Sequence, residues 1–101
     1  MLRQETVSSR EVILIVDGPL TGPAVEEFQQ KMEELCAGRF QKITLDLAQC
    51  AAINSAALGK FLVFRKKLDE AGGTLRVSRC SDGLYRVFTA IKFDKLFPIR
   101  R

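Results

Sequence analysis

The chain has 101 residues, 47% of them hydrophobic and 28% charged, so it is long enough for one domain with a buried core and has the composition of a soluble globular protein. Its net charge is +4, and residues 74–101 carry seven basic and two acidic side chains, which we interpret as a solvated basic face because no nucleic-acid-binding signature accompanies them. The lack of histidine excludes Ser-His-Asp and Cys-His catalysis, and the lack of a long apolar run or an apolar signal segment predicts a cytoplasmic protein.

Two strands open the predicted order of elements. Residues 3–8 form a weak strand candidate whose best apolar position is Val7. Residues 11–17 form a β-branched run bounded by polar residues, which is the clearest strand signal in the chain. A turn between the two runs is consistent with a hairpin.

A loop rich in glycine and proline leads into the first predicted helix, residues 23–37. Thr21 or Gly22 can cap this helix, and Pro23 suits its first position. Its amphipathic stripe consists of Val25, Phe28, Met32 and Leu35.

A strand over residues 41–47 and a helix from Ser55 or Ala56 to about residue 71 follow. The apolar positions assigned to the buried stripe of this helix are Leu58, Phe61, Leu62 and Leu68. Two apolar residues, Val63 and Phe64, are left over, with Lys60 and Lys67 near them. Either part of this second side packs under the third helix or the tail, or it forms a partner surface with Phe64 as its anchor.

The remaining predicted elements are a strand over residues 74–78 and a short helix over residues 82–90, which begins with the capping sequence Ser81-Asp82-Gly83. Apolar residues of the tail are expected to dock on the core; they are Phe93, Leu96, Phe97 and Ile99. The three cysteines, Cys36, Cys50 and Cys80, show no C-x-x-C spacing, so we expect reduced, mostly buried thiols and no metal site.

The resulting order, β-β-α-β-α-β-α, predicts an α/β fold with a mixed four-stranded sheet. Strand-helix-strand units imply parallel pairs with right-handed crossovers. If strands two, three and four are adjacent in that order, both long helices lie on one face. The alternating third and fourth strands predict a more polar second face, and the continuous apolar run of strand two places that strand centrally.

The candidate functional residues lie at the junction of the third strand with the second helix, residues 43–59. It reads I-T-L-D-L-A-Q-C-A-A-I-N-S-A-A-L-G, and its Asn54-Ser55 pair opens the helix. Either Asn54 or Ser55 can be the helix cap. The unpaired N–H groups at such an opening also suit a phosphate.

The chain resembles a STAS domain, the domain of sulphate transporters and anti-sigma factor antagonists. The resemblance rests on L-D-L, I-N-S-A-A-L-G-K-F-L, A-G-G-T-L-R-V and V-F-T-A-I-K-F-D-K-L-F-P-I, in this order. It implies a single STAS domain over residues 1–101, with the STAS-like sheet and its helices packed mainly on one face. It further implies a bacterial, non-enzymatic regulator of transcription that acts by partner switching and needs no cofactor.

The resemblance also implies site residues and partners. Ser55 corresponds to the phosphoacceptor serine of the family, whose partner is an anti-sigma factor that is also a GHKL-type serine kinase and whose phosphate is removed by a PP2C-type phosphatase. Direct nucleic-acid binding and membrane insertion are not implied, and a homodimer stays open. The implied site-lining residues are Asn54, Ala56, Ala57, Gly59 and Thr21, and the implied partner surface is Lys60, Val63, Phe64 and Lys67.

Three of these positions differ from the family pattern. Asn54 stands where the family has an aspartate, Ala57 where it has a glycine, and Thr21 where it has an aspartate in the loop after the second strand. Fewer carboxylates lower the repulsion of an added phosphate but remove groups that a kinase could read. An alternative function is therefore a STAS accessory subunit of an ABC-type lipid or solute transporter, which needs no phosphorylation.

Overall fold

The computed structural model describes residues 1–38 and 40–101 and contains one four-stranded mixed sheet with the strand order β1-β2-β3-β4. The strands are β1 (Leu2–Thr6), β2 (Glu11–Val16), β3 (Lys42–Asp46) and β4 (Thr74–Ser78). The helices are α1 (Pro23–Ala37), α2 (Ser55–Glu70) and α3 (Asp82–Ala90), and a 3-10 turn spans Phe93–Lys95. β1 pairs antiparallel with β2, and the other pairs are parallel, so the predicted fold class is confirmed.

One face of the sheet is buried and the other is partly open to solvent. In β2, Val12, Leu14 and Val16 are at most 2% exposed, whereas the alternate residues are half-buried. β2 lies between β1 and β3, as its apolar run predicts. The continuous apolar run of β2 does not mean that both faces of the sheet are covered by helices, because only every second residue of the strand is fully buried.

Phenylalanine rings join the helices into one core above the sheet. Phe28 of α1 lies with its ring centroid 5.4 Å from that of Phe61 in α2 and 6.3 Å from that of Phe64. Phe61 in turn stacks on Phe88 of α3 at 6.1 Å, and Phe88 stacks on Phe93 of the tail at 6.2 Å. The orientation of α2 is therefore set by aromatic contacts on both of its sides.

The buried stripe of α2 differs from the predicted one. It consists of Ala57, Phe61, Phe64 and Leu68, which follow one another at intervals of four, three and four residues. Leu62, predicted to be buried, is 39% exposed, and Phe64, predicted to lie on the second side, is 1% exposed. At about 100° per residue these two side chains point roughly 160° apart, so the pairing of Phe64 with Phe28 turns Leu62 outward.

The edges of the sheet also differ from one another. β1 begins one residue before its predicted start and ends at Thr6, so Val7, the best apolar position of the predicted strand, lies outside β1 and is 52% exposed. Beyond β4, the tail adds a short parallel segment: Val77 donates its N–H to the Pro98 carbonyl at 2.9 Å, and Arg100 donates to Val77 at 2.9 Å. The predicted docking of the tail is confirmed for the buried Phe93 and Phe97, whereas Leu96, which was also expected to dock, is 37% exposed.

None of the helices in residues 1–38 and 40–101 combines the length and the apolar character that crossing a bilayer requires. All three cysteines are free, and Cys50 and Cys80 are buried while Cys36 is half-buried. Burial raises the pKa of each thiol, so these groups are neutral near pH 7 and are poor nucleophiles.

Candidate functional site

Asn54 is the cap of α2. Its backbone is extended, with φ −86° and ψ 172°, and its side-chain Oδ1 accepts the N–H of Ala57 at 2.9 Å. Ser55 is consequently the first helical residue rather than the cap. The choice that the sequence left open is settled by the backbone, because only the cap position is extended while its carbonyl already accepts the first helical bond, from Leu58 at 3.1 Å.

The Ser55 hydroxyl is left free by this arrangement. Ser55 is exposed, and within the described residues its side chain makes no hydrogen bond. The N–H groups of Ser55 and Ala56 likewise have no acceptor among those residues, as expected for the first turn of a helix. An exposed hydroxyl beside unpaired N–H groups is accessible to a modifying enzyme and favourable for an added anion.

The loop after β2 is fastened to the start of α2. Gly18 donates its N–H to the Gln49 carbonyl at 3.0 Å, Leu20 donates to Ala52 at 2.9 Å, and Asn54 donates back to Leu20 at 3.1 Å. Leu20 is also 1% exposed, so its side chain anchors the loop in the core. These bonds fix the position of the Asn54 backbone and hence of the cap.

Thr21 follows Leu20 in this loop and is exposed. It is not the cap of α1: the cap position is Gly22, whose φ of +57° lies in the region that favours glycine, and no side chain of residues 1–38 or 40–101 caps this helix. Of the two caps that the sequence allowed, Gly22 is therefore observed. Thr21 is adjacent along the chain to the residue that binds Asn54, which places it near the opening of α2.

The three small residues that follow Ser55 occupy different surroundings. Ala56 is exposed, whereas Ala57 is fully buried, so its methyl group faces the core and only its backbone N–H serves the cap. Gly59 is exposed, and a Cβ built on it would meet no atom within 4 Å. Packing within the chain therefore does not require glycine at this position.

The charges near the opening of α2 favour an anion. The first turn contains no acidic residue, and the helix dipole places a partial positive charge there. Lys60, half-buried, lies in the following turn. No carboxylate of the first turn would repel a phosphate on Ser55.

An exposed ridge runs along α2 from Ser55. At about 100° per residue, Ser55, Gly59, Leu62 and Lys66 share one side of the helix, opposite the buried stripe, and Val63 flanks them. All five are exposed, with Leu62 at 39% and Val63 at 48%. The ridge therefore joins the exposed serine to two exposed apolar side chains about two turns farther along the helix.

The predicted partner surface needs one correction. Phe64 is buried between α2 and α1, where its ring packs edge-on against Phe28, so it cannot anchor a partner. Lys67 is exposed and lies with its Nζ 5.4 Å from the centroid of the Phe64 ring, on the flank of the ridge. Leu62 takes the outward position, and the spacing of Ala57, Phe61, Phe64 and Leu68 was the sequence signal that could have revealed this.

Comparison with known proteins identifies the fold family. The model of the STAS domain matches residues 3–101. This chain belongs to the STAS domain family. No curated protein matches it.

Solved STAS structures share the fold at low sequence identity. An anti-sigma factor antagonist of Thermotoga maritima described as putative, TM1081, is 21% identical with a TM-score of 0.91, over 99% of this chain and 86% of that one. The Bacillus cell-fate determinant SpoIIAA in its phosphorylated form is 20% identical with a TM-score of 0.79, over 100% and 91% of the two chains. A sulfate transporter family protein of Wolinella succinogenes is 15% identical with a TM-score of 0.76, over 94% and 80%.

These neighbours place anti-sigma factor antagonists and a transporter-family protein on the same fold as this STAS domain. At such identities the likeness concerns the fold alone. The departures at Asn54 and Ala57 are compatible with it: Asn54 caps α2, and the extra methyl of Ala57 fits into the core.

Proposed function

We propose that this STAS domain is an anti-sigma factor antagonist-like regulator of transcription. In this proposal residues 1–101 act as one non-enzymatic domain in the bacterial cytoplasm that binds an anti-sigma factor, itself a GHKL-type serine kinase. Phosphorylation of Ser55 releases the partner, and a PP2C-type phosphatase restores binding. The observation that carries the proposal is the exposed hydroxyl of Ser55, which no described residue binds because Asn54 provides the cap.

The physical effect of a phosphate on Ser55 suits a binding switch better than a folding switch. A phosphate adds about −1.5 to −2 charges and three acceptor oxygens at a position where an anion is favoured by the helix dipole and by two N–H groups that have no acceptor among the described residues. The domain therefore stays folded when it is modified. A partner that covers the ridge would have to bury this charge, which costs binding free energy unless the partner supplies a cation.

The ridge gives the partner a contact area next to the switch. Leu62 and Val63 supply exposed apolar surface. Gly59 lies between them and Ser55 along the helix and has no side chain, so a partner can approach the helix backbone there. Lys66 and Lys67 provide positive charge farther along α2. We expect the partner to present an apolar surface with acidic groups at its rim.

A second candidate function is an accessory subunit of an ABC-type transporter. It is supported by the replacement of the family aspartate by Asn54, which removes a group that a kinase could read, and by the sulfate transporter family protein among the structural neighbours. In this function the ridge would contact an ATPase, and Ser55 would stay unmodified.

The test uses Ser55→Asp as a mimic of the modified protein. Titration calorimetry with the purified partner kinase is expected to show about 100-fold weaker binding of Ser55→Asp than of the wild type, because the partner must bury an unpaired charge. Ser81→Asp, which adds the same charge at the start of α3, is the matched control and is expected to bind within about threefold of the wild type. Equal affinity of wild type and Ser55→Asp would reject the switch, and unchanged capture of an ABC ATPase by both would favour the second function.

A further inference from the structure

β1 forms an open edge of the sheet. Within the part of the chain that the structure describes, β1 pairs on one side with β2 and on its other side with nothing. Its residues from Arg3 to Thr6 are all exposed. At the opposite edge, β4 forms backbone hydrogen bonds with the tail, so that edge is covered whereas the edge at β1 is open.

The backbone groups that point outward from this edge can be identified from the pairing with β2. Met1 and Asp17 exchange both of their bonds, at 2.7 and 2.8 Å, and the N–H of Val7 donates to Glu11 at 2.9 Å. Hydrogen-bonded and non-hydrogen-bonded pairs alternate in antiparallel strands. The odd-numbered residues of β1 therefore turn their backbone groups toward β2, and the even-numbered residues turn theirs outward.

Among the described residues, the N–H and the carbonyl of three residues along the edge have no partner: Leu2, Gln4 and Thr6. If a second β1 approaches antiparallel in the register centred on Gln4, Leu2 meets Thr6 of the second copy and Gln4 meets Gln4. Each of these pairs is of the hydrogen-bonded kind, so each exchanges two bonds across a twofold axis. No outward group of the edge is then left without a partner.

The side chains of the same register are complementary in charge. Arg3 lies opposite Glu5 of the second copy, and by symmetry Glu5 lies opposite Arg3. These are non-hydrogen-bonded pairs, whose Cα atoms approach to about 4.5 Å and whose side chains are closest. Neither Arg3 nor Glu5 forms an ion pair among the described residues, so both are available.

We propose that β1 is a self-association edge, through which a second copy of this chain extends the sheet from four strands to eight. Charged residues on an edge strand ordinarily prevent pairing. Here the order Arg3-Gln4-Glu5 is self-complementary about its centre, so the same charges favour one register and oppose shifted ones. The ridge on α2 is not part of this contact, and the dimer is independent of the function proposed for Ser55.

The dimer is expected to be weak. Strands of five residues are about 17 Å long, and an edge contact of that length falls in the size class below about 1,200 Å² that is typical of transient complexes. Sedimentation equilibrium of the wild type between about 10 μM and 1 mM is expected to show the mass rising from 11.3 kDa toward twice that value.

Charge reversal tests the register. Arg3→Glu brings two carboxylates opposite each other across the twofold axis, and Glu5→Arg brings two guanidinium groups opposite each other. Each variant alone is therefore expected to raise the dimer dissociation constant about tenfold or more. The double variant Arg3→Glu/Glu5→Arg restores opposite charges and is expected to dimerise like the wild type. Arg86→Glu, the same charge change at an exposed position of α3, is the control. Its mass in sedimentation equilibrium is expected to rise with concentration as that of the wild type does.

Mixing the two single variants gives the sharpest result. Arg3→Glu and Glu5→Arg together pair opposite charges at both sites, so the mixture is expected to form heterodimers with about the affinity of the wild type, whereas each variant alone dimerises about tenfold more weakly or worse. Gln4→Pro removes one outward N–H without touching a bond to β2 and is expected to weaken every dimer. The proposal would be overturned by a wild type that stays at 11.3 kDa up to about 1 mM, or by a dimer dissociation constant that neither charge reversal changes.

Discussion

The openings of α2 and α3 use a serine in opposite ways. At α3, Ser81 is the cap, and its Oγ accepts the N–H of Leu84 at 3.1 Å. At α2, Asn54 takes that role with a bond to Ala57 at 2.9 Å, and Ser55 follows it with a hydroxyl that no described residue binds. The first turn of α3 contains the acidic Asp82, whereas that of α2 contains no acidic residue.

The difference distinguishes a serine whose hydroxyl caps a helix from a serine whose hydroxyl is exposed beside a cap. A capping hydroxyl is occupied, and its modification removes a hydrogen bond that holds the helix start. A hydroxyl one position later is free, and its modification adds an anion where the helix dipole stabilises one. Two serines at the starts of two helices in one small protein therefore offer an internal control for every test of Ser55.

Removal of the two caps is expected to produce the largest effects on stability. Ser81→Ala and Asn54→Ala should each lower the free energy of unfolding by about 1 kcal/mol, because each leaves a backbone N–H of the first turn without its acceptor. Urea unfolding of both variants at pH 7 measures this. A loss near zero for Asn54→Ala would mean that Ser55 can take over the cap, and the contrast between the two helices would fail.

Substitution of Gly59 is expected to raise stability and lower affinity. Gly59→Ala should stabilise the protein by about 0.5–1 kcal/mol, because glycine is costly inside a helix and the new methyl group meets no atom within 4 Å. The same methyl group projects from the ridge and should weaken partner binding. Gly83→Ala, whose Cβ would lie 3.9 Å from the Ser81 Oγ, is the control in α3 and should leave partner affinity unchanged. Tighter partner binding by Gly59→Ala would remove this part of the ridge from the contact.

The smallest expected effect is that of Ser55→Ala on stability. Because the Ser55 hydroxyl makes no bond within the described residues, its removal should change the free energy of unfolding by less than about 0.3 kcal/mol, against about 1 kcal/mol for Ser81→Ala. Thermal and urea unfolding of the two variants side by side give the comparison. A loss of similar size in both would show that Ser55 supports the helix start.

The kind and the order along the chain of the helices and strands followed from local patterns, because capping residues and the period of the apolar positions lie within each element. α1 and α3 begin and end at the predicted residues, 23–37 and 82–90. Pro23 and Ser81 mark their starts chemically.

The orientation of α2 and its cap could not be predicted in the same way. α2 carries more apolar residues than one stripe can bury, and the choice of Phe64 over Leu62 depends on Phe28, which comes from another helix. Asn54 and Ser55 are both good caps, and the bond from the Asn54 N–H to Leu20 in a distant loop helps to decide between them. Contacts between segments far apart in the chain made both decisions, and a single sequence does not display such contacts.

Ser55 is, in our proposal, a switch, whereas Ser81 is a structural cap. Phosphopeptide mapping of the protein isolated from its own cells, together with its intact mass, tests this most directly. We predict a fraction of molecules that carry one phosphoryl group, located on Ser55 and absent from Ser81. Recovery of the protein only with unmodified Ser55, or with the phosphate on Ser81, would contradict the proposal.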